Sequence, residues 1–507
     1  MSEVNVKEWV KQVVKQEEID KYLVNGEDFI DETEINSHLS ATVNPDKQKV
    51  RDILQKSLSI ERLEPDETAT LLNVTDGELW KEMYATGLEV KQKVYDNRIV
   101  FFAPLYCGNL CVNNCAYCGF RKENSEEKRR VLTMDEVIDE AKAVISEGHK
   151  RMIVVFGEHP KTDADYIAQT IETVYGVRVK ARNGYGSIRR VNINAAPMSI
   201  EDLRKLHEVG IGTYQVFQET YHKPTYAVVH PANTLKGNYR WRLYALHRAM
   251  DAGIDDVAIG ALVGVYDWRF DVMGLLYHTI DLERQFGIGP HTISFPRMTP
   301  ASGAELSTKS NHLVNDADFK KLVTVLRLSV PYSGLIITAR EQAEIKRDVI
   351  MVGCTQTDAS TKIGIGGYTE ALKALSLAQT TAQVKEKQQF TLGDTRSLDE
   401  VIREIAEMGM ITSFCTAGYR CGRTGDKIMG LLKGCVEGRF CKLNAVLTFR
   451  EYLDDYASPA TKEIGEMIIQ KELDEIKQIP FFQKGNLLQT FLKFYEQVSS
   501  GERDVFI

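Results

Sequence analysis

The chain has 507 residues, 43% apolar and 26% charged, and its 63 Lys and Arg against 71 Asp and Glu leave a net charge of −8. That composition supports a large core but no basic face, so neither nucleic acid nor an anionic membrane surface is an expected partner. The start, Met1-Ser2-Glu3-Val4, lacks the basic flank and apolar core of a secretory leader. No apolar run reaches the ~20 residues a membrane span requires, so a cytoplasmic protein is expected.

Residues 1–97 read as an N-terminal helical extension: Trp9, Val10, Val13 and Val14 have helical spacing, and Asn44-Pro45 and Glu64-Pro65 have the form of helix starts. From residue 98 short β-rich runs alternate with amphipathic helices. Eight runs are predicted as strands: 99–106, 152–156, 190–194, 213–217, 256–262, 291–296, 334–339 and 348–353. Thr133 and Glu136 form a capping box ahead of Val137, Ile138, Ala141, Val144 and Ile145; Ser199 and Asp202 open another helix, with Leu203, Leu206 and Val209 on one face. Eight strand–helix repeats across 98–385 predict an α/β fold, a (βα)8 barrel of the TIM type, with its site at the C-terminal ends of the strands. Gly364-Ile365-Gly366-Gly367 reads as a turn. Residues 386–507 are expected to form a mainly helical C-terminal domain, in which Ser397 and Glu400 cap a helix through Ile402, Ile405 and Met408.

Nine cysteines fall into two groups with Cys354 between them, an odd count that argues against a disulfide framework. In the loop after the first strand Cys111, Cys115 and Cys118 stand in C-x3-C-x2-C spacing. Three thiolates can hold three irons of a [4Fe–4S] cubane and leave the fourth iron to chelate the amino and carboxylate groups of S-adenosyl-L-methionine; an electron passed into the sulfonium then releases a 5′-deoxyadenosyl radical. Packing of three thiols as small apolar groups, or a zinc site with Cys107 as fourth ligand, fits this polar, closely spaced loop less well. Tyr117, just before the last cysteine, is expected beside the cofactor. Gly157-Glu158, ending the second strand, resembles the motif with which radical S-adenosylmethionine enzymes grip the methionyl amine.

Longer stretches carry a more particular resemblance. Val216-Phe217-Gln218-Glu219-Thr220-Tyr221-His222, Tyr266-Asp267-Trp268-Arg269-Phe270, Gly289-Pro290-His291-Thr292-Ile293-Ser294-Phe295-Pro296-Arg297 and Ser413-Phe414-Cys415-Thr416-Ala417 together look like the [FeFe]-hydrogenase maturase of the HydG type, over nearly the whole chain. The resemblance implies a lyase in which hydrogen is taken from the amino group of L-tyrosine and the Cα–Cβ bond breaks to give p-cresol and dehydroglycine. It also implies reduced flavodoxin or ferredoxin as electron donor. Arg297, at the end of the sixth strand, becomes the expected clamp for the substrate carboxylate, with a structural ion pair as the alternative. Gln218 and Glu219 become candidates for cofactor contact or for ordinary ion pairing. His278 matches either the family histidine that ligates a special iron or a plain core histidine.

The sequence departs from the family in its C-terminal part. The family spacing C-x2-C-x22-C for a second cluster meets Cys415, Gly418 and Cys441 here, so the middle ligand is absent. Two readings stand: Cys421 supplies the missing ligand, or the second iron–sulfur cluster is lost or remodelled. The full maturase making CO and cyanide, a lyase for another aromatic amino acid, and a non-enzymatic iron–sulfur scaffold are the competing functions.

Overall fold

The computed structural model describes residues 5–41, 43–376 and 388–507. The expected boundary between barrel and C-terminal domain, at 385/386, lies outside the described residues. Among the described residues six helices precede the first strand, including Lys47–Leu58, capped by Asp46, and Pro65–Leu72, which Glu64 caps with proline at its first position.

Eight parallel strands follow: β1 (Arg98–Gly108), β2 (Arg151–Phe156), β3 (Arg190–Asn194), β4 (Tyr214–Gln215), β5 (Val257–Gly260), β6 (Thr292–Ser294), β7 (Gly334–Ile337) and β8 (Gln356–Asp358). Each pairs with the next, and β8 pairs with β1 through Val100, Phe101 and Phe102, which closes the barrel. The predicted caps form as expected at Thr133, Ser199 and Ser397.

The eighth strand is a correction. Residues 348–353 finish the helix Ala343–Ile350 and the turn after it. In that helix Lys346, Val349 and Ile350 are buried at i, i+3, i+4 spacing, a helical period. The true strand, Gln356-Thr357-Asp358, is polar, and hydrophobicity alone passes over it. Burial there is tolerated because Asp358 accepts from Ala339 N and from Thr361 Oγ1, each at 2.7 Å.

Beyond the barrel, β9 (Ile411–Ser413) lies along the N-terminal end of β1, with Arg98 opposite Ile411 and Val100 opposite Ser413. The chain then continues in helices, including Ala417–Arg420, Gly425–Lys433, Glu437–Asp455 and Pro459–Gln478. The two cysteine groups therefore sit at opposite ends of β1, and an 11-residue strand separates them by about 30 Å at ~3.3 Å per residue.

A buried ion triad ties the helix Glu437–Asp455 to the barrel. Glu451 is fully buried and takes Lys150 Nζ at 3.0 Å and Arg189 Nη2 at 2.6 Å. Burial pushes this carboxyl up, but the two cations outweigh that effect and hold it at about 2. Its stabilisation is therefore complete above the ordinary carboxylate range and is lost as pH falls through about 2. Glu451→Gln, at nearly constant volume, leaves the buried Lys150 without its carboxylate and Arg189 with the exposed Asp504, 3.0 Å from its Nε. A loss of ~3–5 kcal/mol is expected, measured as a lower urea midpoint at neutral pH with unchanged slope.

Candidate active site

The loop that follows β1 is shaped by close backbone approaches. Gly157 N donates to Gly108 O at 2.8 Å, and Val112 N donates to Glu158 O at 2.9 Å. A Cβ on Gly157 would stand 2.2 Å from Leu110 O, so no side chain fits there. Arg129 gathers the loop from outside, donating to the carbonyls of Asn109 and Phe120 at 2.9 Å each and of Asn124 at 3.0 Å. Asn113 works from inside: its Nδ2 donates to Glu158 Oε2, and its Oδ1 accepts from Lys236 N at 2.9 Å.

This scaffold brings Cys111, Cys115 and Cys118 onto one cavity of about 220 Å³ at the C-terminal ends of the strands. Burial pushes the Cys111 thiol up to about 11 and the Cys115 thiol up to about 12. Both are thus held as thiols until metal takes the proton's place. Among the described residues no three His, Cys, Asp or Glu side chains already converge on one ion. A cubane does not require that, because each thiolate takes a separate iron. Cys107 stays inside β1 with its Sγ 3.6 Å from Leu105 O and does not line the cavity.

The neighbouring residues fit the expected cofactor. Gly157 and Glu158 line the cavity, and Glu158 Oε1 is buried with no hydrogen-bond partner. Burial raises the Glu158 carboxyl, opposed by the Arg242 charge, the Asn113 hydrogen bond and Lys236. A buried acceptor of this kind, beside three cysteines, suits an ammonium group. Tyr117 also lines the cavity, its hydroxyl 2.8 Å from His230 Nε2. Glu219 has φ of 73° and takes Lys236 Nζ at 2.6 Å. Burial opposes its ionisation, but Lys236 and Arg242 overcome this and hold it below the usual range.

Three expected residues lie elsewhere. Gln218 does not line the cavity: strand alternation turns Gln215, Phe217 and Glu219 inward and Gln218 to the other side. The same parity moves Arg297. Pro296 and Met298 line the cavity, whereas Arg297 points outward, pairing with Glu341 and with Asp316 at 2.7 Å, its guanidinium over the Phe319 ring. The arginine that does reach the cavity is Arg340, just past β7. It is half-buried, lies 3.3 Å over the Phe390 ring, and among the described residues makes long bonds to Thr299 Oγ1 (3.3 Å) and Arg297 O (3.4 Å). Burial pushes its guanidinium down. Among the described residues no carboxylate is ion-paired with it. Lys236 and Arg242, which frame Glu219, were also missed; no local motif marks them.

His278 is the third. It sits inside the helix Trp268–Phe286, with Nδ1 2.9 Å from Tyr221 OH and its ring stacked 5.7 Å from His247. The second cysteine group lies elsewhere, where Cys415, Cys441 and His291 line a small pocket at the N-terminal end of the barrel. Cys421 caps the short helix Ala417–Arg420 and does not line that pocket. The Cys415 thiol is held well below its ordinary value by a hydrogen bond from Cys441, against burial, and by the charges of Arg151, Arg98 and His291.

Comparison with known proteins agrees with this geometry. The radical SAM superfamily profile matches residues 105–269, and the biotin and thiamin synthesis associated domain matches 294–411. A crystal structure of HydG, a maturase of the [FeFe]-hydrogenase, is 42% identical, with TM-score 0.87, and the match covers 95% of this chain and all of that one. HydG from Carboxydothermus hydrogenoformans is 33% identical, with TM-score 0.74, covering 94% of this chain and 99% of that one. The 2-iminoacetate synthase of Salmonella typhimurium is 26% identical over 359 residues, which is 70% of this chain and 88% of the relative.

Proposed function

Because the chain belongs to the radical SAM enzymes and to their HydG-like group, we propose that it cleaves the Cα–Cβ bond of L-tyrosine to p-cresol and dehydroglycine (2-iminoacetate). The observation that carries this reading is Arg340. A half-buried guanidinium with no carboxylate ion-paired to it among the described residues, at the rim of the cavity that also holds the three cysteines, suits an anion from outside the protein. The planar fork of arginine suits the carboxylate of an amino acid.

Cys111, Cys115 and Cys118 would hold the [4Fe–4S] cluster, and Glu158 would receive the amino group of S-adenosylmethionine. When bound, this pair supplies the carbon-centred radical that starts the reaction. The protein's own part is to hold the substrate. Arg340 fixes the carboxylate near the rim. Below it Phe102, Ile153 and Ile336 form an apolar patch that takes an aromatic ring. Ser294 Oγ and Thr338 Oγ1 line the same cavity and are buried without partners. A hydroxyl on the ring would satisfy them, which favours tyrosine over phenylalanine. Glu219, tied to Lys236, keeps a fixed charge beside the cysteine loop and orders the chain that closes over it. A small one-electron donor of the flavodoxin or ferredoxin type would complete the reaction.

The test is turnover by the anaerobically reconstituted protein, reduced with dithionite. p-Cresol and 5′-deoxyadenosine are expected in step with tyrosine, and phenylalanine is expected to give no cresol-type fragment. Formation of 5′-deoxyadenosine with no tyrosine fragment would refute the substrate assignment.

A further inference from the structure

Glu219 is held in a conformation that a residue with a side chain seldom adopts. Its φ is 73°, in the left-handed region, and such strain persists only where the surroundings fix the chain from several sides. On one side Leu262 N donates to Glu219 O at 2.8 Å. On the other stands one face of the helix Trp268–Phe286. Asp271 Oδ1 accepts from Thr220 Oγ1 at 2.9 Å and from Tyr221 N at 2.8 Å. A turn further along, a Cβ on Gly274 would collide with the Tyr221 ring, so glycine makes room for it. Tyr221 OH then lies 2.9 Å from His278 Nδ1. Positions 271, 274 and 278 share one helix face, and that face seats Tyr221 from its amide to its hydroxyl.

Glu219 passes this constraint towards the cysteine loop. Its carboxylate takes Lys236 Nζ at 2.6 Å, Lys236 N donates to Asn113 Oδ1 at 2.9 Å, and Asn113 Nδ2 donates to Glu158. Asp271 is 2% exposed, and its Oδ2 is buried with no hydrogen-bond partner. A carboxylate in that setting is unfavourable by itself, and what it gains are the bonds to the two residues that follow Glu219. We propose that Asp271 is a positioning residue: it holds Glu219 in the left-handed conformation and, through Lys236 and Asn113, sets the place of Glu158, the acceptor for the amino group of S-adenosylmethionine. Asp271 does not line the cavity, so it acts only through these residues. Its role rests on the proposed reading of that cavity as the cofactor's site.

The experiment compares Asp271→Leu, Asp271→Asn and Thr220→Val in the full-length protein, reconstituted with iron and sulfide under anoxia and left unreduced so that no turnover occurs. Binding of S-adenosylmethionine is measured by calorimetry. Asp271→Leu removes the acceptors at similar size. Its Kd is expected to rise roughly tenfold, the scale of one hydrogen bond to a charged group, with the parent's iron content retained. Asp271→Asn keeps an oxygen where Oδ1 stands and should stay within about twofold of the parent protein. Thr220→Val loses one of the two donors and should fall between them. In the metal-free protein, amide hydrogen exchange around Thr220, Tyr221 and the cysteine loop should quicken in Asp271→Leu and not in Asp271→Asn. An unchanged Kd in an iron-loaded Asp271→Leu protein would overturn the proposal, as would equal losses in the leucine and asparagine variants. If Asp271→Leu takes up no iron, Thr220→Val decides, and an unchanged Kd there overturns it. Tyrosine enters none of these measurements. A parent protein that binds no S-adenosylmethionine would refute the cofactor site itself, whereas parent-like binding in the variants refutes the role of Asp271 alone.

Discussion

Replacing Cys118 by alanine is expected to abolish S-adenosylmethionine cleavage, with 5′-deoxyadenosine at background and iron content lowered by about four per chain. Cys118 lines the main cavity, and Gln389 Nε2 donates to its sulfur at 3.5 Å. Loss of one thiolate leaves a second iron corner without a protein ligand, and the cubane no longer has a unique open site. The fold should survive, because the loop is held by Asn113, Arg129 and the Gly157 approach rather than by the sulfurs. Retained far-ultraviolet circular dichroism with the visible cluster absorption gone would fit this account. A Cys118→Ala protein that keeps its cluster and its adenosyl product would remove the basis of the site.

Arg340→Lys is expected to separate substrate turnover from cofactor cleavage. A lysine cannot make the bidentate contact, so the substrate nitrogen would be poorly placed. A misplacement of ~1 Å costs about 100-fold in rate. p-Cresol formation should fall by that order, with a raised KM for tyrosine, while unproductive 5′-deoxyadenosine release continues. Arg297→Ala is the control. It breaks the pair with the buried Glu341, and a stability loss of ~3–5 kcal/mol is expected, but the ratio of cresol to 5′-deoxyadenosine per folded chain should hold. If Arg297→Ala changes that ratio and Arg340→Lys does not, the assignment of the carboxylate clamp is reversed.

The contrast between these arginines shows where sequence reading ended. Both lie just past the end of a barrel strand, Arg297 after Ser294 and Arg340 after Ile337, and both carry the right chemistry. Which one enters the cavity depends on strand parity, and parity depends on register with the neighbouring strands, to which distant residues contribute. Gln218 failed for the same reason, while Glu219, one residue on, faces inward. His278 and His291 differ in another way. His278 is buried inside a helix, whereas His291 stands just before β6 and lines the pocket that Cys415 also lines.

The eighth strand adds a case of misleading composition. Val349, Ile350 and Val352 look like a strand because they are apolar and close together, yet they pack as a helix and its turn. Gln356-Thr357-Asp358 looks like a loop because it is polar, yet it closes the barrel. Its side chains are satisfied by partners far away in sequence, which no local window contains.

By itself the sequence determined whatever needs only neighbouring residues: the three-cysteine loop, the Gly157-Glu158 turn, the helix caps at Thr133, Ser199 and Ser397, and the alternation of strand and helix that makes a barrel. The tertiary structure alone decided which side chains meet: Arg340 rather than Arg297 at the cavity, and His291 rather than His278 beside Cys415 and Cys441. Spacing and capping are short-range and are written along the chain. A shared cavity is assembled from strand ends that run from Gly108 to Asp358, and its members are chosen by register and closure, which exist only once the sheet has folded.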